Sequence, residues 1–469
     1  MTFPPDTDPV RDGAAASALP VLPLQVLRAD EWPAWRAGQP PAVSAWLDAQ
    51  QFTAAPGSAV LLPAVGEGGV GSAVLGVADK RDPWAYAHAP SALPAGFAWR
   101  PRGVRPGRES EALALGWGLA SYRFTRYLTN HGPAVRPPAV LQLRTSAETR
   151  ALVEADARAR DWINTPAQDF GPQELEQAVR ELARTQGAQV EVIAGEALQA
   201  GFPAISAVGR ASHRAPRLLV LRWGRPEHPA LTLVGKGVCF DTGGLDLKPA
   251  EGMRHMKKDM GGAAHALALA GVVMAQQLPV RLTLLIPAVD NAIGPEALRP
   301  GDIIRTRAGL SVEIHNTDAE GRLILGDALA LACEARPDLI LDFATLTGAA
   351  RVALGPDLPA LFCDDEALAA QWLEAGRRTR DPVWRMPLWA PYERLLASSV
   401  ADLANAGGRQ AGAISAALYL ARHVPRGQAW AHLDLYAWND AARPGCPAGG
   451  RTQALRAAWA LLKSRYARG

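Results

Sequence analysis

The heptapeptide Asn316-Thr317-Asp318-Ala319-Glu320-Gly321-Arg322 concentrates more chemistry than any other stretch of this 469-residue chain. Asp318 and Glu320 are two apart, so on an extended segment both carboxylates project from one face. Gly321 lets the backbone turn, and Arg322 puts a permanent cation beside two anions. Two converging hard oxygen ligands beside a charge clamp suit a divalent metal ion and a substrate undergoing attack. An acidic turn before a helix beginning at Arg322-Leu323-Ile324-Leu325 would explain the same residues more plainly, and upstream residues are needed to choose.

Those residues are lysines. The chain has six: Lys80, Lys236, Lys248, Lys257, Lys258 and Lys463; every other basic side chain, 43 in all, is Arg. Four of the six fall within residues 236–258. A lysine offers what guanidinium does not, an amine that can lose its proton near a metal and ligate it. Lys236 lies where the apolar Leu231-Thr232-Leu233-Val234 runs into Gly235-Lys236-Gly237-Val238-Cys239-Phe240-Asp241-Thr242-Gly243-Gly244, and Lys248 follows in Leu245-Asp246-Leu247-Lys248-Pro249. Asp259 comes next, in Met256-Lys257-Lys258-Asp259-Met260-Gly261-Gly262. Lys257 and Lys258, being adjacent, read as a solvated pair. The Gly-rich turn is not a nucleotide motif. Phe240 stands where a dinucleotide fingerprint needs its third Gly, and Gly237 and Ala230 stand where a P-loop needs Ser/Thr and Gly.

The elements that must position these groups follow from length and pattern. A chain of 469 residues is long for one core, so two domains are expected. A hydrophobic fraction of 48% with 20% charged residues fits a globular protein, and a net charge of +3 is too small to imply a nucleic-acid or membrane surface. No apolar run approaches the roughly 18–20 residues of a membrane helix. The N-terminus lacks the basic and apolar regions of a signal peptide. Four cysteines at least 30 residues apart, with no CxxC pair, fit a reduced cytoplasmic enzyme. Nine histidines form no HExxH pattern, so each reads as structural, with His315 beside the heptapeptide the one to watch.

Residues 1–20 read as a flexible tail, 21–145 as an N-terminal α/β domain, 146–165 as a linker helix ended by Asn164-Thr165-Pro166, and 166–469 as the larger C-terminal domain. In the first domain, strands are expected at 59–62, 73–77 and 139–143 and a helix at 109–128. In the second, strand candidates at 217–223, 230–238, 281–289, 339–345 and 430–436 alternate with helices at 264–277, 323–335 and 411–422. Such alternation predicts a mostly parallel central sheet flanked by helices, an α/β fold whose ligands bind at the carboxyl ends of the strands. Residues 235–241, 287–291 and 343–348 lie at such ends. The heptapeptide falls between a possible strand at 311–315 and a helix.

Val234–Gly244, the Lys-Lys-Asp-Met-Gly-Gly-Ala-Ala run, Asn-Thr-Asp-Ala-Glu-Gly-Arg-Leu and Ala344-Thr345-Leu346-Thr347-Gly348-Ala349 together resemble the leucyl aminopeptidase family of metallopeptidases. The likeness spans nearly all of the C-terminal domain, from Arg160–Pro166 through Asp402–Arg409 to Trp430-Ala431-His432-Leu433-Asp434. It implies two divalent metal ions, Mn²⁺ or Zn²⁺, held by Lys236, Asp241, Asp259, Asp318 and Glu320, with Asp241 and Glu320 bridging. Lys248 would polarise the scissile carbonyl. Arg322, with Ala319, Gly321 and backbone amides near Leu346, would hold a bicarbonate acting as general base. Met256, Asn316, Thr345, Leu346, Thr347, Gly348 and Tyr436 would contact substrate. The resemblance further implies peptide substrates with a free N-terminus and a homohexamer built as a dimer of trimers.

One departure is informative. After His432-Leu433-Asp434-Leu435 the family usually has a small residue and then Gly, whereas Tyr436-Ala437-Trp438-Asn439 stand here. Tyr436 lining the pocket for the first side chain would narrow or shift the preference away from Leu. Two other classes fit these residues less well. A two-metal phosphoesterase more often includes His among its ligands. A DNA-binding accessory protein of the same fold would need a basic surface, and the Arg residues here are dispersed.

Overall fold

The computed structural model describes residues 8–12, 19–64, 68–129 and 137–467. Most of the expected N-terminal tail and residues 131–136 lie outside the described residues. The chain divides into two compact units, residues 1–158 with 440–448 and residues 159–439 with 449–469.

The first unit is built on a six-stranded sheet in the order Val10–Arg11, Val140–Gln142, Ala98–Arg102, Val21–Leu27, Val70–Gly76, Ala59–Pro63. Every pairing is parallel except the last, an antiparallel pair. The apolar stripe of the helix Arg108–Ser121 supplies Leu113 and Trp117 to a core shared with Leu24, Trp99 and Leu141. Trp117 is fully buried, and its indole N–H donates to Ala139 O at 2.8 Å, which satisfies the one polar atom it brings inside. The helix stops at Ser121 rather than 128 because Tyr122 takes up extended backbone, φ −57° and ψ 134°. Two segments differ from the sequence boundaries. Val10–Arg11, within the expected tail, pairs with Leu141–Gln142. Asp440–Ala448 groups with this unit, where Gly445 packs so closely on Ala87 and Trp84 that a side chain there would collide.

The second unit holds a nine-stranded sheet. Its strands, in chain order, are β1 Gln189–Ala194, β2 Arg217–Trp223, β3 Ala230–Gly235, β4 Gly237–Asp241, β5 Arg281–Asn291, β6 Leu339–Ala344, β7 Ala360–Phe362, β8 Trp384–Met386 and β9 Trp430–Asp434. The spatial order is β8-β7-β9-β6-β3-β5-β2-β1, with β4 also paired to β5. The central run β9-β6-β3-β5-β4 is parallel, and antiparallel pairs lie toward the edges. The fold is therefore the expected two-domain α/β architecture. Two helices matter most to the site: α1, Gly261–Ala275, and α2, Glu320–Glu334. Helix α1 is buried almost all round, which its Ala- and Gly-rich sequence permits. Gly262 is required there, because a Cβ would lie 2.1 Å from Phe343 O of β6.

One expected strand, 230–238, is broken in two. Lys236 leaves the ladder between β3 and β4; its N–H donates to Phe343 O at 3.0 Å, and its carbonyl accepts from Ala263 N–H at 2.8 Å. Helix α2 begins at Glu320, earlier than predicted, so Asp318 and Glu320 do not share an extended face. They meet in a turn that becomes the first residue of a helix, where the macrodipole favours a carboxylate. A buried Asp327 further along α2 accepts from the N–H groups of Ala204, Ile205 and Arg307, at 2.9, 3.2 and 2.7 Å. It thereby satisfies donors at the start of a neighbouring helix. Among the described residues no helix is long and apolar enough to cross a membrane.

Candidate functional site

At the carboxyl ends of β3, β4 and β6 the chain gathers the predicted ligands. Lys236 Nζ lies 2.6 Å from Asp259 Oδ2 and 2.9 Å from Glu320 Oε1, and donates to Thr345 O at 3.0 Å. Its stem passes so close to α2 that a Cβ on Gly321 would sit 2.4 Å from Lys236 Cε. Gly321 is thus needed for the lysine to cross, besides any role in the turn. Asp241 ends β4; its Oδ1 accepts from Gly243 N–H and from Asn291 Nδ2, both at 2.8 Å. Its Oδ2 faces Lys248 Nζ at 2.8 Å, and Lys248 also pairs closely with Asp318. Asp241, Asp259 and Glu320 each bring a carboxylate oxygen within 4.8 Å of the others. Thr345 Oγ1 donates to Asp259 Oδ1 at 2.8 Å and so fixes that carboxylate's rotation.

Metal-site chemistry fits these donors on one observation. Asp259 Oδ2, Asp318 Oδ1 and Glu320 Oε1 are sealed from solvent with no hydrogen bond aligned on them, although lysine ammonium groups lie at ion-pair distance. Buried carboxylate oxygens without directed donors are expensive unless a cation completes their shell. The electrostatics agree. Burial, with repulsion from Asp259, pushes Asp241 up to about 6; burial, with repulsion from Asp241, pushes Glu320 up to about 7. Burial also raises Asp318. Burial would lower Lys236 and Lys248, but Asp259 with Glu320 outweighs it at the first, and Asp241 with Asp318 at the second; both amines are raised. Lys236 is therefore an ammonium in the metal-free fold, and becomes a ligand only by giving up that proton.

The remaining predicted residues are placed as follows. Asn316 braces the heptapeptide turn, its Oδ1 accepting from Asp318 N–H at 2.8 Å. Ala319 precedes α2, and its carbonyl accepts from Asn405 Nδ2 at 3.4 Å. Arg322 is buried, donates from Nη1 to Asn405 O at 2.7 Å, and keeps Nε without a partner. The amide of Leu346 is already given to Asp434 Oδ1 at 3.0 Å, as are the Thr347 amide and hydroxyl to the same carboxylate. Of the expected anion cradle, Arg322 has a free donor and Leu346, as placed, does not. Gly348 opens a short helix, and Met256 opens the 3₁₀ turn Met256–Met260 that carries Asp259. His315 is not drawn in; its Nε2 lies 3.0 Å from Glu313 Oε2, partly exposed.

Sequence reasoning missed four supports and misread a pair of lysines. Asn291 Nδ2 reaches Asp241 Oδ1, Thr317 O and, at 3.5 Å, Glu320 Oε2. Thr317 and Asp246 exchange hydrogen bonds that tie the heptapeptide to the Lys248 loop. Asn405 accepts from the amides of His315 and Asn316 and donates back to Asn316 O. Asp434 anchors the 346–347 loop. The only available signal was that Asn291, Asn405 and Asp434 sit in stretches already singled out as strand ends or family motifs. Lys257 and Lys258 are not a solvated pair. Lys257 donates to Asn164 O at 2.6 Å, while Lys258 is buried, 6% exposed, with Nζ 5.2 Å from the Tyr436 ring centre. Burial pushes Lys258 down to about 8.

Carboxylate donors with an amine and no imidazole suit a divalent-metal centre, a kind of site that two-metal hydrolases use. Comparison with known proteins narrows the class. The catalytic-domain profile of the cytosol aminopeptidase family matches residues 157–457, and the profile of the M17 aminopeptidase N-terminal domain matches residues 22–136. A probable cytosol aminopeptidase of Syntrophotalea carbinolica is 41% identical over 382 residues, 77% of this chain and 76% of that protein. The crystal structure of a cytosol aminopeptidase from Coxiella burnetii superposes with a TM-score of 0.92 at 46% identity, covering 98% of this chain and all of that one. A bottromycin maturation enzyme, BotP, in complex with Mn, superposes with a TM-score of 0.84 at 34% identity over 95% of this chain and 99% of its own. The chain belongs to the cytosol aminopeptidase family. It is a divalent-metal-dependent aminopeptidase, a hydrolase that acts on peptides.

Proposed function

We propose that the enzyme removes the first residue of peptides with a free N-terminus, using two divalent ions held by Lys236, Asp241, Asp259, Asp318 and Glu320. The observation that carries this is the set of buried carboxylate oxygens with no directed donor around Lys236. Manganese is the favoured metal, since a similar structure was obtained with it, and zinc is the alternative. Bound there, such ions supply Lewis acidity that makes a water nucleophilic near neutral pH and polarises the scissile carbonyl.

The chain's own groups do the rest. Lys248, freed from Asp241 and Asp318, turns its ammonium to the oxygen that becomes negative during attack. Asn291 and Thr345 hold Asp241 and Asp259 in fixed rotamers, so that little reorganisation accompanies the reaction. Arg322 Nε faces no partner and is assigned to a bicarbonate that would take the proton of the attacking water; Leu346 stays with Asp434. A cytoplasmic homohexamer is part of the same reading, carried by the family.

The test is hydrolysis of Leu-initiated dipeptides and their N-acetylated counterparts, with chelator and with added Mn²⁺ or Zn²⁺. The expected result is cleavage that chelator abolishes, metal restores and acetylation prevents. Equal cleavage of the acetylated peptides would mean an endopeptidase.

A further inference from the structure

Gln453 is buried, and its hydrogen bonds join three segments around the metal-bearing turn. Its Oε1 accepts from the successive amides of Tyr436 and Ala437, at 3.0 and 2.9 Å, and its Nε2 donates to Pro356 O at 3.0 Å. Its backbone N–H donates to His265 Nε2 at 2.9 Å. A backbone amide can only donate, so Nε2 holds a lone pair and this fully buried imidazole carries its proton on Nδ1. Nδ1 therefore donates to Gly261 O at 2.6 Å, at the first residue of α1 and two residues past Asp259.

A second route runs through Ala437. Its φ of 56° lies in the left-handed region, which a residue with a Cβ rarely adopts and which persists only where the surroundings impose it. Here Gln453 takes its N–H, and Arg451 N–H donates to its carbonyl at 3.0 Å. Ala437 so held packs on the same turn: a Cβ built on Gly261 would lie 2.4 Å from Ala437 Cβ and 3.1 Å from Thr345 Cγ2. Thr345 is the residue whose hydroxyl fixes Asp259 Oδ1. We infer that Gln453 and His265 are positioning residues for Asp259, so that affinity for one of the two metal ions depends on them although neither is a ligand. The inference rests on the two-ion reading above. Asp241 and Asp318 are braced separately, by Gly243, Asn291 and Asn316, so the other ion is largely independent of this clamp.

The test is titration of metal-free protein with Mn²⁺, the free ion being read by electron paramagnetic resonance, beside the melting temperature of the metal-free protein. The parent is expected to bind two ions per chain. Gln453→Leu and His265→Phe are each expected to weaken one ion by about tenfold or more, the usual effect of losing a group that orients a ligand, and the other by less than about threefold. The two substitutions lie at opposite ends of one hydrogen bond, so either variant that folds decides the matter. A role confined to packing would lower the melting temperature and leave both affinities as in the parent; that result overturns the inference, as does equal weakening of both ions. A parent that binds no Mn²⁺, or a single ion, overturns the two-ion reading itself.

Discussion

Glu320→Gln is expected to lower kcat/KM on a Leu-initiated dipeptide by about a thousandfold or more, and to reduce bound manganese from two ions per chain to one or fewer. The substitution keeps shape and removes charge. Glu320 is the first residue of α2 and fully buried, with Oε1 facing only the Lys236 ammonium. The effect on stability should run the other way. Burial raises the folded-state pKa of Glu320 to about 7, above its value in the unfolded chain. In metal-free protein this carboxyl therefore favours folding only while protonated, and stability falls as pH rises through the interval up to about 7. Gln escapes that penalty. At pH 8 without metal the variant should melt at or above the parent temperature, and manganese should stabilise the parent but hardly the variant. A variant that melts much lower without metal would mark Glu320 as a structural residue.

Lys248→Met is expected to lower kcat by about 10²–10³-fold, the range for loss of one preorganised donor to a developing oxyanion, with a far smaller change in KM. Lys248 sits in the loop after Gly243-Gly244, and its backbone N–H bonds to Thr242 O at 3.0 Å, so the loop survives the substitution. Manganese binding should persist, because Asp241 and Asp318 lose a competing cation. Lys248→Arg should rescue poorly, since a planar guanidinium cannot replace a compact ammonium between two carboxylates. Steady-state kinetics beside a metal-content assay separates this role from a ligand's: loss of manganese together with activity would contradict it.

Much of the site was legible because it is written in residue types that have few other uses. In an Arg-rich chain, lysines at 236 and 248 stand out, and the heptapeptide compresses two ligands and a cation into seven positions. The parallel centre of the sheet followed from strand–helix alternation, and with it the rim where the ligands meet. What escaped was geometry that local rules cannot reach. Asp318 and Glu320 converge through a turn and a helix start, not through a strand's two-residue period. Lys258 was misjudged because adjacent charges usually share a solvated surface; on a 3₁₀ turn successive side chains point a third of a revolution apart, so Lys257 and Lys258 part company. Asn291, Asn405 and Asp434 act over separations of 26 to 50, 83 to 90, and 87 to 88 residues, which no spacing rule detects.

The central claim is that five side chains, one of them an amine, hold two ions at once. Crystals equilibrated with manganese and measured at its absorption edge test it directly. The account predicts two anomalous peaks enclosed by Lys236, Asp241, Asp259, Asp318 and Glu320, with Lys236 Nζ bound to one of them. A single peak in fully active protein, or manganese bound elsewhere while Lys236 keeps its contacts to Asp259 and Glu320, would contradict it.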